Sequence, residues 1–225
     1  MEATKRPGWW TRAGDWMDER FNIRGPLEVF LKKPVPKHAI RWYFCLGGIT
    51  FSLFVIQGIT GILLSLYYKP TPEQAYDSIL FIMNNVRFGW LIRSIHSWSA
   101  SLMVATCVAH MLRDYITGSY KRPRELNWVA GVVLLLLTLA FGFTGYLLPW
   151  DQKALWGSTV GSEIMGVVPL IGEQLLGLLR GGADITGLTL TRFYGGHMLV
   201  LPVAMFLFLA INFVIIRRQG ISGPL

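Results

Sequence analysis

The sequence predicts an all-α membrane protein, a four-helix transmembrane bundle preceded by a short amphipathic helix. Three observations lead there. Mean hydropathy is +0.44, and 52% of the residues are hydrophobic. Only 15% are charged, against roughly 25% in soluble domains. The charges are also segregated, because residues 42–68, 94–112, 126–150 and 193–216 contain no Asp, Glu, Lys or Arg. A helix needs about 20 apolar residues to cross the roughly 30 Å hydrocarbon layer, so each stretch can span it. No water satisfies backbone groups at that depth, so the spans must be helices.

In chain order, residues 1–38 form a polar, basic N-terminal segment with no sign of a cleavable signal peptide. Within it "RAGDWMDERFNI" reads as an amphipathic helix lying on the cytoplasmic surface, and "KKPVPKH" breaks the chain before the first span. Residues 39–225 then make one four-span domain. A fifth apolar region, "ALWGSTVGSEIMGVVPLIGEQLLGLL", is interrupted by Glu163, Pro169 and Glu173. It is expected to be part of an extramembrane loop, 151–192, holding one or two short helices.

Four spans put both ends of the chain on one side of the membrane. Lys and Arg number nine in residues 1–41, four from Arg113 to Arg124, and two at Arg217 and Arg218. The opposite side receives six: Lys69, Arg87, Arg93, Lys153, Arg180 and Arg192. The excess of fifteen over six predicts cytoplasmic termini. The net charge of +8 therefore reflects topology and contact with anionic lipid, and nucleic acid is not expected as a partner. Cys45 and Cys107 fall in different spans, outside any C-x-x-C pair, so no disulfide framework is expected.

His96 and His110 share the second span, fourteen positions apart. That separation is about 40° short of four turns and roughly 21 Å along the axis, so both rings face one way near opposite membrane surfaces. Either imidazole could simply be hydrogen-bonded between helices, but two on one face at this spacing favour two stacked cofactors, with haem iron a common partner. Gly47 and Gly61 on the first span, and Gly131 and Gly145 on the third, repeat the separation of fourteen. Glycine often marks close helix packing. Here it would let flat macrocycles lie against bare backbone, with the second and fourth helices supplying ligands.

The stretches "YFCLGGIT", "FGWLIRSIHSWSAS", "KRPRELNWVAGVV", "FGFTGYLLPWDQ", "TRFYGGH" and "RRQGISGPL" resemble the cytochrome b6 family, over nearly all of the chain beyond the first dozen residues. The resemblance implies the haem-carrying subunit of a Rieske/cytochrome b complex in a bacterial cytoplasmic or thylakoid-type membrane. His96 and His197 would ligate the iron of the outer haem, and His110 that of the cytoplasmic haem. Arg93 would meet haem propionates, although the family arginine after the first histidine is Ser97 here. Arg217 would lie beside a cytoplasmic quinone. Tyr146 and Gly157, in "GYLLPWDQKALWGS", would wall the quinol-oxidation site. Cys45 matches the cysteine that carries an extra, c-type haem by one thioether bond, whereas Cys107 reads as packing. The fourth-span position where the family has a second histidine is Asn212, so bis-histidine ligation of the cytoplasmic haem is not expected unless His38 reaches in.

The cofactors so implied are two b-type haems, one covalent c-type haem, and quinone/quinol. The partners are a subunit IV-like chain completing the cytochrome b unit, a Rieske iron–sulfur protein, a c-type cytochrome or plastocyanin-type acceptor, and membrane lipids, in a dimeric complex. Two other readings stay open at this point. One is a haem-bearing anchor passing electrons between quinone and a different peripheral oxidoreductase, and the other is a non-catalytic subunit with degenerate sites.

Overall fold

The computed structural model describes residues 8–21, Gly25 and 41–220. "KKPVPKH", His38 and the final five residues of "RRQGISGPL" lie outside the described residues. The chain divides into two units at residue 40. In the first, α1 runs from Trp9 to Phe21, starting three residues before the expected amphipathic segment. Trp9, Trp10 and Trp16 are exposed, and the Arg20 guanidinium lies 4.3 Å from the centre of the Trp16 ring. Exposed tryptophans with a snorkelling cation suit a helix at a lipid–water boundary.

The second unit begins with a 3₁₀ turn, Trp42–Cys45, leading into α2 (Leu46–Ser65). It continues through α3 (Ala75–Asn84), α4 (Gly89–Ile116) and α5 (Glu125–Leu147). Two shorter helices follow, α6 (Gln152–Gly166) and α7 (Gly172–Arg180). The last rod joins α8 (Gly187–Gly195), one π turn (Gly196–Val200) and α9 (Leu201–Gln219). Four rods are long and apolar enough to cross a membrane: Trp42–Ser65, Gly89–Ile116, Glu125–Leu147 and Gly187–Gln219. The second and fourth begin before their charge-free stretches, at the cost of including Arg93 and Arg192. A helix need not stop where hydrocarbon does, because long cationic side chains reach the interface from its end turns.

Within this unit α4 packs against α2 and α5, and α9 packs against α5. Edge-on pairs Phe51–Phe213 and Phe54–Phe206, with centres 5.2 and 5.3 Å apart, join the first and last rods. Gln57 donates to the His96 carbonyl at 2.6 Å and to Ser99 Oγ at 2.7 Å, locking α2 to α4. Only 6–17% of the most apolar window of each rod is buried within the chain. Most apolar surface therefore faces lipid or other chains, as expected where lipid replaces a hydrophobic driving force.

The loop after α5 is tightly built. Asp151 accepts from Ala154 N at 2.8 Å and caps α6, a contact worth about 1 kcal/mol. Arg180 is buried and donates to Ser162 Oγ at 2.7 Å and to the Ala183 carbonyl at 3.1 Å, while facing Glu163 at 3.3 Å. One guanidinium thus ties α6, α7 and the approach to α8. Beyond the end of α2, Tyr68 donates to the Leu148 carbonyl at 2.6 Å, with the Tyr194 ring 5.4 Å away. Burial, then the neighbouring Tyr194, pushes the Tyr68 phenol well above its usual range, keeping that donor protonated.

Candidate functional site

Two groups of side chains sit at opposite ends of the bundle. At one end, α2 and α5 finish while α4 and the fourth rod begin. There the His96 Nδ1 lies 2.8 Å from Thr60 Oγ1 of α2. A methyl group on Gly61 would lie 3.4 Å from His96 Cε1. His197, in the π turn, repeats the arrangement against α5. Its Nδ1 lies 2.9 Å from Thr144 Oγ1, and a methyl on Gly145 would come to 2.9 Å from its Cε1. Phe141 closes on that ring edge-on at 5.3 Å. Each imidazole is therefore held by a threonine and rests on the glycine that follows it.

At the other end His110 rests on Gly47, where a methyl would be 3.1 Å from Nε2. Its neighbours are charged: Arg113 Nη2 lies 3.5 Å from Nδ1 and Asp114 Oδ2 3.7 Å from Nε2. Arg113 also pairs with Asp114 at 2.6 Å and lies 4.9 Å from the centre of the Phe44 ring. The exposed thiol of Cys45 follows Phe44 in the chain, two residues before Gly47, whereas Cys107 is buried. Asn212 Nδ2 donates to Asn127 Oδ1 of α5 at 3.2 Å. Gly131, one turn further along α5, has no other atom within 4 Å of where a methyl would be, and Arg217 occupies the last turn of α9.

Tyr146 and Gly157 come together, since a methyl on Gly157 would be 3.9 Å from Tyr146 Cε1 and 3.0 Å from Leu147 Cδ2. The Tyr146 side chain is exposed beside them. Arg93 reaches Met83 Sδ of α3 at 3.6 Å. Residues that sequence reasoning missed are Thr60, Thr144, Asn127, Arg113 and Arg124. Among the described residues, the buried side-chain polar atoms without a hydrogen-bond partner are Arg113 Nε and Arg124 Nε. Arg113 was findable, because a residue three positions after His110 shares its helix face. The others depend on contacts between helices.

The chain matches the family described as cytochrome b/b6/petB over residues 30–220. The chain belongs to that family. It is 50% identical to cytochrome b6 of Synechococcus elongatus over 211 residues, covering 94% of this chain and 98% of the relative. Cytochrome b6 of Prochlorococcus marinus is 49% identical over 211 residues, covering 94% and 96%. A solved chain of a hyperthermophilic respiratory complex III superposes with a TM-score of 0.83 at 34% identity. That match covers 93% of this chain but 56% of the other, so this chain spans little more than half its length. As a cytochrome b, the chain is an integral membrane, haem-carrying subunit of a quinol-oxidising multi-subunit complex.

Membership of the cytochrome b family implies b-type haem, and the residues present can be tested against it. At the His96–His197 end they fit, with two imidazoles on facing helices, each against a glycine. At the His110 end they fit with one imidazole, and the buried, unpartnered Arg113 and Arg124 Nε suit an anionic group such as a propionate. The fourth rod offers only Asn212 there, and its amide is engaged with Asn127.

This packing makes Gly145 sensitive. Ala at Gly145 should force the His197 ring off Thr144, at a cost of roughly 1–3 kcal/mol, and lower haem content at that end. Ala at Gly58, where no atom lies within 4 Å, should leave haem content unchanged. Haem per chain, measured on both purified variants, checks the pair.

Proposed function

We propose that this cytochrome b oxidises quinol at the outer membrane surface and delivers half of the electrons across the bilayer to a quinone on the cytoplasmic side. Quinol releases two electrons and two protons. One electron leaves to a Rieske iron–sulfur protein, and from there to a c-type cytochrome or plastocyanin-type acceptor. Bound haems would carry the other electron between the two surfaces, since accepting and passing single electrons is the chemistry they supply. The observation that carries this reading is the pair of imidazoles, His96 and His197, held alike on facing helices at one end of the bundle, with His110 at the other.

The roles of the chain follow from position. His96 and His197 hold the outer iron, and His110 holds the cytoplasmic one. Gly47, Gly61, Gly131 and Gly145 keep the helix walls flat, while the apolar rods keep water out between the two sites. Tyr146 and Gly157 line the quinol side, supported by the Tyr68–Leu148 bond. Arg93 supplies positive charge for propionates at the outer end, as Arg113 and Arg124 do at the cytoplasmic end. Arg217 offers charge to the cytoplasmic quinone. Cys45, exposed at the His110 end, attaches a c-type haem by a single thioether. A subunit IV-like chain completes the cytochrome b unit, in a dimeric complex with cytoplasmic termini, an orientation supported by the fifteen-to-six cation bias.

Purification of the complex tests this reading. A Rieske subunit should co-purify, and a haem-stained denaturing gel should give signal at about the mass of this chain, lost in Cys45→Ala. Co-purification with a different peripheral oxidoreductase and no Rieske protein would replace the quinol-oxidising reading by that of a membrane anchor. A gel without signal in the wild type, or one that persists in Cys45→Ala, removes the covalent haem.

A further inference from the structure

The first and third spans carry the same short motif. Gly58, Thr60, Gly61, Leu63 and Leu64 recur 84 residues later as Gly142, Thr144, Gly145, Leu147 and Leu148. Both copies stand near the end of their helices, and each threonine meets the Nδ1 of a histidine on another span, at 2.8 and 2.9 Å. A repeat in sequence is matched by a repeat in geometry.

The proton on each hydroxyl decides the direction of these bonds. Thr60 Oγ1 lies 2.7 Å from the Ile56 carbonyl, and Thr144 Oγ1 lies 2.7 Å from the Ala140 carbonyl. Threonine in a membrane helix commonly donates back to the carbonyl four residues earlier, and a hydroxyl has one proton to give. With that proton committed, Oγ1 can only accept. The proton in each contact must then come from Nδ1–H of the imidazole. In a neutral imidazole this leaves Nε2 as a bare lone pair, the form that binds iron.

We propose that Thr60 and Thr144 are positioning residues, which fix His96 and His197 in the Nδ1–H tautomer and set the basicity of Nε2 on both sides of the outer haem. The inference rests on those two histidines being the haem ligands. An acceptor on Nδ1–H makes the opposite nitrogen a stronger donor, which favours the ferric state and lowers the reduction potential. His110 has no hydroxyl acceptor at Nδ1, and the Asp114 carboxylate lies 3.7 Å from its Nε2 instead. Its Nδ1 faces the Arg113 guanidinium, which donates and cannot accept.

The test uses the purified complex with Thr60→Val, Thr144→Val, the double variant, and the matching Thr→Ser changes. Valine keeps the shape and removes the threonine acceptor, while serine restores it; at His197 the Phe141 backbone remains as a second partner. Each Val variant should retain two b haems per chain. One b centre should be displaced toward the ferrous state by up to tenfold, equivalent to 59 mV for a one-electron couple. Its low-spin g values should move with it, the double variant should shift further, and the Ser variants should titrate as wild type. Unchanged potential and g values with haem retained would overturn the proposal. If a Val variant loses haem, recovery of haem and potential by Ser supports the acceptor role, and failure of Ser to recover them overturns it. The ligand reading itself is tested separately: a low-spin outer centre persisting in His197→Ala would remove it, whatever the threonine variants do.

Discussion

Alanine at His197 is expected to abolish quinol oxidation and to turn one low-spin b centre high-spin or empty. The chain has four histidines, and His197 is the one carried by the fourth rod. Its ring occupies the ground between Thr144, Gly145 and Phe141, so truncation removes that imidazole and leaves bare glycine backbone. Loss of residues that merely support a metal ligand typically weakens metal affinity or activity ~10–100-fold, and loss of the ligand itself should exceed that. Quinol:acceptor turnover and electron paramagnetic resonance of the oxidised complex measure the two effects. Activity surviving in His197→Ala would mean that electrons cross by another route, and the proposed mechanism would fall.

The second large effect is expected at Asn212. We expect the wild-type complex to hold a high-spin b haem with His110 as its only protein ligand. Three features favour retention of that haem: the packing of His110 on Gly47, and the orphaned Nε atoms of Arg113 and Arg124, which an anionic group would satisfy. Asn212 is shorter than an imidazole, a poor iron ligand, and already donates to Asn127. Asn212→His gives up that bond, worth about 1 kcal/mol, and supplies a second nitrogen donor. Its centre should become low-spin at unchanged haem content. Two low-spin b haems in the wild type would reject the idea, as would a count of one b haem per chain.

Much of this molecule is determined by its sequence alone. The absence of charge over four long stretches forces four helices, because unsatisfied backbone cannot stay in hydrocarbon. The spacing of His96 and His110 follows from helical rise and twist, with no tertiary contact needed to place them at opposite ends of one face. Local rules of this kind are legible because they act within a single helix. The short helix α3 escaped them, since ten residues between two spans carry no periodicity long enough to separate helix from loop.

Contacts between helices were decided only by the tertiary structure. That Thr60 meets His96 and Thr144 meets His197 depends on how rods distant in sequence are turned about their axes. So does the Asn212–Asn127 bond, which spans 85 residues. The π turn at Gly196–Val200 shows the physical reason most directly. Read as continuous α-helix, Asn212 lies fifteen residues from His197, about 60° past four turns. A π turn takes up roughly one residue more than an α turn, so fifteen behaves as about fourteen, the spacing of the other three spans. The sequence held the residues for that register, but a single turn of altered hydrogen bonding, fixed by packing around His197, brings the fourth rod into step.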